Sequence, residues 1–217
     1  MLTVGVSKVS AVRAMRNQHQ WIARLLSHLL HPWAVLFPVT ALVAYQSSGA
    51  LSECVKWTVV TLLPAYLLPS VYAQIKAMML SPEGTRQRLS RSLFRDKPGQ
   101  LLIMTSLFGV PVASILYYFD GPKNLLALVV AVTGTMLVTA LLNVRYRASF
   151  HLAMVTSMLC ALWVLFGAVS LATLPLVPIL GLSRWSLGEH SPTQLITGFF
   201  LGLAVTAIVF HAFGLLV

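Results

Sequence analysis

Residues 151–184, HLAMVTSMLCALWVLFGAVSLATLPLVPILGLSR, carry a single charged side chain, Arg184 at the far end. How often this stretch crosses a bilayer decides whether its two polar ends share a face. As one helix, residues 152–182 would extend about 46 Å, against a hydrocarbon core of about 30 Å. As two helices it is slightly short, and each must borrow residues from its flanks. Residues 167–170, beginning with Gly167, offer a turn, and Pro175 with Pro178 distort the second helix. We expect two helices, which brings His151 and Arg184 to the same side.

Apolar runs on either side extend the pattern over residues 33–45, 55–80, 101–119, 125–143 and 195–217. The second carries Pro64 and Pro69, which bend a helix. The last carries Gly198 and Gly202, the G-x-x-x-G spacing that allows close helix approach. Of 217 residues, 58% are hydrophobic and 9% charged, where an ordinary soluble domain has roughly 25% charged. Mean hydropathy is +0.83. These numbers exclude a soluble domain and point to an all-α fold: a polytopic transmembrane helical bundle with about seven spans in all. Residues 32–217 form the membrane domain. Cys54 and Cys160 are expected to pack as small apolar residues, without a disulfide or thiolate metal site.

Residues 1–31 differ in character. They hold Lys8, Arg13, Arg16 and Arg24 and no acid, while Val9, Val12, Trp21, Leu25 and Leu29 fall roughly on one helical face. An interfacial amphipathic helix is expected, with its basic side towards anionic membrane lipids. No signal peptide is expected, because no compact apolar core follows a short basic start.

The formal net charge of +10 belongs to the same picture. With seven spans, one face receives residues 1–31, 81–100, 144–150 and 183–193. It then holds all but Lys56 and Lys123 of the fifteen lysines and arginines. That face is expected to be cytoplasmic, in an integral protein of a prokaryotic plasma membrane. Nucleic acid is not an expected partner, since no polar domain displays the charge. No charged residue sits at mid-span, which argues against ion conduction or proton coupling.

Three polar segments end helices on that face: Arg86 to Pro98, Arg145 to His151, and Ser183 to Gln194. Together they offer two histidines, several arginines and hydroxyl donors beside lipid. Arginine forks suit phosphate oxygens, and helix N-termini add aligned N–H groups. One histidine can attack phosphorus while another protonates the leaving oxygen. The residues alone therefore describe a phosphate-handling site at the membrane surface.

On these residues the chain resembles the type 2 phosphatidic acid phosphatase superfamily of membrane lipid phosphatases. Its pattern is K-x6-R-P, then P-S-G-H, then S-R-x5-H-x3-D. Here the third motif is Ser183-Arg184, five residues, His190, three residues and Gln194; the second is Ala148-Ser149-Phe150-His151. The first is either Arg88, six residues and Arg95, or Ser90, six residues and Lys97-Pro98. The likeness covers roughly residues 80–205, includes motif order and helix count, and implies a six-helix core with the first span or the N-terminal helix as an extra.

The resemblance implies that His190 is the nucleophile, forming a phosphohistidine, and that His151 is the general acid. Arg184, Ser149 and one or two of Arg88, Arg95 and Lys97 would hold the phosphate oxygens. A phosphatidic acid-type lipid or a polyprenyl phosphate or diphosphate would be the substrate, with no cofactor and no metal. Gln194 stands where the family has Asp, so it can orient His190 but supplies no charge. Loss of the comparable carboxylate in a serine-protease triad costs about four orders of magnitude. The alternative expectation is therefore a non-hydrolytic lipid-phosphate binder, or a phospho-transfer relative. Asp96 and Glu189 are the acids that could stand in for the missing charge.

Overall fold

The computed structural model describes residues 20–79 and 98–216, and among them there are helices and turns but no strand. A first helical segment, α1 (20–29), ends at Leu30 and His31. The break has a local cause. Pro32 lacks an N–H and suits a first turn, and the His31 imidazole caps the next helix by accepting the Trp33 N–H at 3.4 Å. There follow α2 (Pro32–Ser48), α3 (Leu51–Met79), α4 (Pro98–Tyr118), α5 (Lys123–Leu142) and α6 (Phe150–Phe166). A 3-10 turn (Gly167–Thr173), α7 (Leu176–Ser186) and α8 (Pro192–Ala212) complete the order.

The stretch between His151 and Arg184 does divide into two helices. Gly167 ends α6 with φ of 61°, a left-handed backbone that favours glycine. The 3-10 turn is then pinned by the Trp163 indole N–H, which donates to Thr173 Oγ1 at 3.0 Å. Pro175 precedes α7 and Pro178 lies in its first turn, where a missing N–H costs nothing. The halves are unequal, however. α7 has 11 residues, about 17 Å of helix, little over half a hydrocarbon core.

The seven helices α2–α8 agree with the expected all-α bundle. Among the described residues, five segments are long and apolar enough to cross a bilayer: Gln20–Ser48, Leu51–Tyr72, Lys123–Leu142, Phe150–Thr173 and Pro192–Ala212. α4 contributes a shorter apolar part, Thr105–Tyr118. The chain is an all-α integral membrane protein, and its sixth apolar run is a short return helix.

Burial follows the reverse of the soluble pattern. Large apolar side chains such as Val59, Leu63, Val110, Phe200 and Ile208 point outwards, an exposed apolar area a soluble monomer would not tolerate. α6 is the central helix: residues 152–162 are all buried, with α2, α5, α7 and α8 packed around it. A helix that is apolar on every side belongs in such a position. Cys54 and Cys160 are buried and unbridged, and the Cys54 thiol donates to the Ala41 carbonyl at 3.4 Å.

Helices α6 and α8 approach closely. A Cβ added to Gly198 would lie 2.6 Å from the Ser149 carbonyl oxygen, and one on Gly202 would overlap the Ala153 carbonyl. The two glycines thus seat α8 on the first turns of α6. Deeper in the bundle, Thr206 Oγ1 donates to Ser157 Oγ at 2.8 Å. At the opposite end, Asn124 Nδ2 donates to Gln46 Oε1 at 2.9 Å, joining the C-terminal end of α2 to the start of α5. On α1, Ala23 and Ser27 face the bundle while Trp21, Leu25 and Leu29 are exposed. Lys8, Val9, Val12, Arg13 and Arg16 lie outside the described residues.

Candidate functional site

The polar ends of α2, α5, α6, α7 and α8 meet at one end of the bundle, and each is closed by a local device. Asn143 clamps the loop between α5 and α6: its Oδ1 accepts the Ala148 N–H at 2.7 Å and its Nδ2 donates to the Ala148 carbonyl at 3.3 Å. Ser149 caps α6, accepting the Leu152 N–H. Ser191 and Gln194 form a reciprocal capping box at the start of α8. The Ser149 N–H donates to the Gln194 carbonyl at 3.1 Å, so the starts of α6 and α8 are bonded directly. Gly188, with φ of 70°, turns the chain back after α7, and the Glu189 N–H closes that turn on the Arg184 carbonyl at 3.1 Å.

These ends enclose a cavity of about 540 Å³, walled by His31, Trp33, Arg147, His151, Arg184 and His190, with Glu189 and Gln194 beside them. The volume falls in the range of about 300–1,000 Å³ typical of small-molecule sites. Two arginines against one carboxylate give the wall a positive balance suited to an anion. Trp33 with Pro32 and Phe150 supplies an apolar side. Among the described residues, no group of three or more His, Cys, Asp or Glu is placed to hold a metal ion.

His190 has a defined tautomer. Gln194 Oε1 accepts the Ser191 backbone N–H at 3.1 Å, and the same oxygen lies 3.2 Å from His190 Nδ1. A backbone N–H only donates, so the Gln194 atom is its oxygen and His190 Nδ1 carries the proton. The neutral ring then keeps its lone pair on Nε2. Burial is the main cause that holds the His190 pKa below its ordinary value. The Gln194 hydrogen bond opposes this, Arg184 adds to it, Glu189 opposes and Arg147 adds. A neutral, nucleophilic imidazole is the consequence near pH 7.

Arg184 is held from two directions. Nη1 donates to Ser27 Oγ of α1 at 3.1 Å, and Nη2 forms an ion pair with the Glu189 carboxylate. The Arg184 side chain is only 12% exposed, so this pairing relieves an otherwise costly buried charge. His151 lies edge-to-face against His31, with ring centroids 4.8 Å apart and an interplanar angle of 84°.

Four residues singled out in the sequence therefore come together: His151, Arg184, His190 and Gln194. Ser149 does not join them. It is fully buried, its Oγ accepting the Leu152 N–H as the α6 cap and its backbone under Gly198, and it is not among the residues that wall the cavity. Arg88, Arg95 and Lys97 lie outside the described residues. His31, Ser27 and Arg147 were missed as site residues. The only sequence sign of His31 is the His-Pro pair before an apolar run, which marks a helix start and says nothing of a cavity. Fold and site define a class: a helical membrane protein with a histidine- and arginine-walled cavity at one end. Comparisons with protein-family models, with curated proteins and with solved structures found no match.

Proposed function

We propose that the protein is a membrane lipid-phosphate phosphatase acting through a phosphohistidine at His190. The observation that carries this reading is the convergence of His151, Arg184 and His190, drawn from three separate helix ends, on one cavity. Arg184 and Arg147 attract the phosphate oxygens. The His190 Nε2 lone pair attacks phosphorus, and the bond from phosphorus to the lipid oxygen breaks. His151, on the same cavity, relays a proton to that leaving oxygen. Water then attacks the phosphohistidine while His151 takes a proton from it, releasing inorganic phosphate and restoring His190. Glu189 lies close enough to favour positive charge on His190, adding a formal negative charge where Gln194 supplies only a hydrogen bond.

The substrate class is a phosphatidic acid-type lipid or a polyprenyl phosphate or diphosphate, reaching the cavity from the bilayer. The site and the N-terminal segment face the cytoplasm on this proposal. Arg145, Arg147 and Arg184 belong to helix ends at the site, while Lys56 and Lys123 belong to the end marked by the Gln46–Asn124 bond. Phosphate release from such lipids in mixed micelles tests the mechanism. His190→Ala should remove it, and full activity in that variant would sink the phosphohistidine.

A second reading has its own observation, the neutral Gln194 at the position that orients His190. It makes the protein a lipid-phosphate binder or a phospho-transfer enzyme with another acceptor. Binding of the lipid without release of phosphate by the native protein would favour it.

A further inference from the structure

His31 bears on this cavity in a way the mechanism above leaves unused. It belongs to neither of the histidine-bearing segments and reaches the site from the start of α2. Its Nδ1 accepts the Trp33 backbone N–H at 3.4 Å. That N–H can only donate, so Nδ1 holds the lone pair, and the proton of the neutral ring is on Nε2. His190 has the opposite arrangement, with its proton on Nδ1 towards Gln194. Two histidines on one wall thus present complementary atoms, a lone pair from His190 and an N–H from His31.

Geometry restrains His31 further. One ring nitrogen is tied to the backbone of α2, the ring packs edge-to-face with His151, and Pro32 fixes the turn beneath it. The ring borders the cavity, and the edge bearing Nε2 is the one left over from the backbone bond. A neutral donor adds no third cation beside Arg147 and Arg184. It can still strengthen its bond as charge builds on a phosphoryl oxygen.

We propose that His31 is the neutral hydrogen-bond donor of this site, giving its Nε2–H to a phosphoryl oxygen of the group that His190 attacks. The assignment rests on the phosphate-handling reading above. It adds a residue from outside the segments that carry that reading.

The test uses the full chain in non-ionic detergent micelles, with inorganic phosphate and orthovanadate as probes. In 15N-histidine spectra, His31 should show its proton on Nε2 in the free protein, and phosphate should move that signal. His31→Ser retains a capping oxygen but loses the donor. It should keep the native melting temperature and weaken vanadate binding by about ten-fold or more, the scale of one hydrogen bond to a charged group. A merely capping His31 would leave its Nε2 signal unmoved by phosphate, and His31→Ser would bind vanadate as the native protein does. If Arg184→Ala then still weakens binding, only the His31 assignment fails. If neither probe binds the native protein or shifts any histidine signal, both the assignment and the phosphate-handling reading fall.

Discussion

His190 and Gln194 share one hydrogen bond, and at the residue scale that bond sets how the site responds to pH. His190 titrates below the ordinary histidine value, so its reactive neutral form persists into mildly acidic solution. The folded protein also binds that proton less readily than the unfolded chain. The stability due to neutral His190 is therefore present above about pH 6.5 and lost as pH falls through the lower, folded-state pKa. Gln194→Asp would place a carboxylate against Nδ1 and raise the His190 pKa. It should shift the acid limb of the pH–rate profile upwards and, by stabilising positive charge on the phosphorylated ring, raise turnover at pH 8. An unmoved acid limb would show that His190 protonation does not govern the reaction. His151, Arg184, His190 and Gln194 were legible because each sits at a fixed spacing beside an apolar run. Ser149 was legible as a polar residue but not as a cap, because its role depends on the backbone it meets. His31 lies 120 positions before His151 in the chain, and no local pattern expresses their contact.

At the scale of elements, the α6–α8 pair holds the two mechanistic histidines near one another. Both glycines of the G-x-x-x-G pair face carbonyls of α6, at Ser149 and Ala153, so at these two positions the helices meet through backbone. Gly202→Leu must push α8 outwards. It should destabilise the protein by about 1–3 kcal/mol, the usual cost of overpacking, and reduce activity as His190 withdraws from His151. Ala204→Leu, on the exposed side of the same helix, is the matched control and should be neutral. Denaturation midpoints in mixed micelles distinguish them; equal midpoints would remove the backbone seat from the account. The G-x-x-x-G spacing announced a close approach, but its partner helix was not readable. Spacing specifies a face of one helix, and the opposite surface comes from residues elsewhere in the chain. The same limit applies to α7. The Gly and Pro positions foretold a break near Gly167, while the 3-10 path and the short return depend on packing against α6.

For the whole molecule, the return of the chain between His151 and Arg184 to one end of the bundle makes a prediction about topology. In a background of Cys54→Ser and Cys160→Ser, the single variants Lys56→Cys and Lys123→Cys should react with an impermeant maleimide from outside intact cells. Arg145→Cys should react only after the membrane is opened. Equal labelling of all three from outside would overturn the proposed cytoplasmic site. The sequence by itself determined that the chain is a helical membrane protein, that a break falls near Gly167, and that the segments holding His151 and Arg184 to Gln194 share an end. Those properties follow from local hydropathy, from proline and glycine backbone limits and from the length of a span, none of which needs a partner. Only the tertiary structure decided that α6 is the central helix and that Glu189 folds back on Arg184. It alone brought His31 into the wall of the cavity and Ser27 within hydrogen-bond reach of Arg184. The reason is physical: a lipid-facing helix and a buried one are both apolar, so hydropathy cannot rank them. Contacts between distant helix ends arise only when the bundle closes.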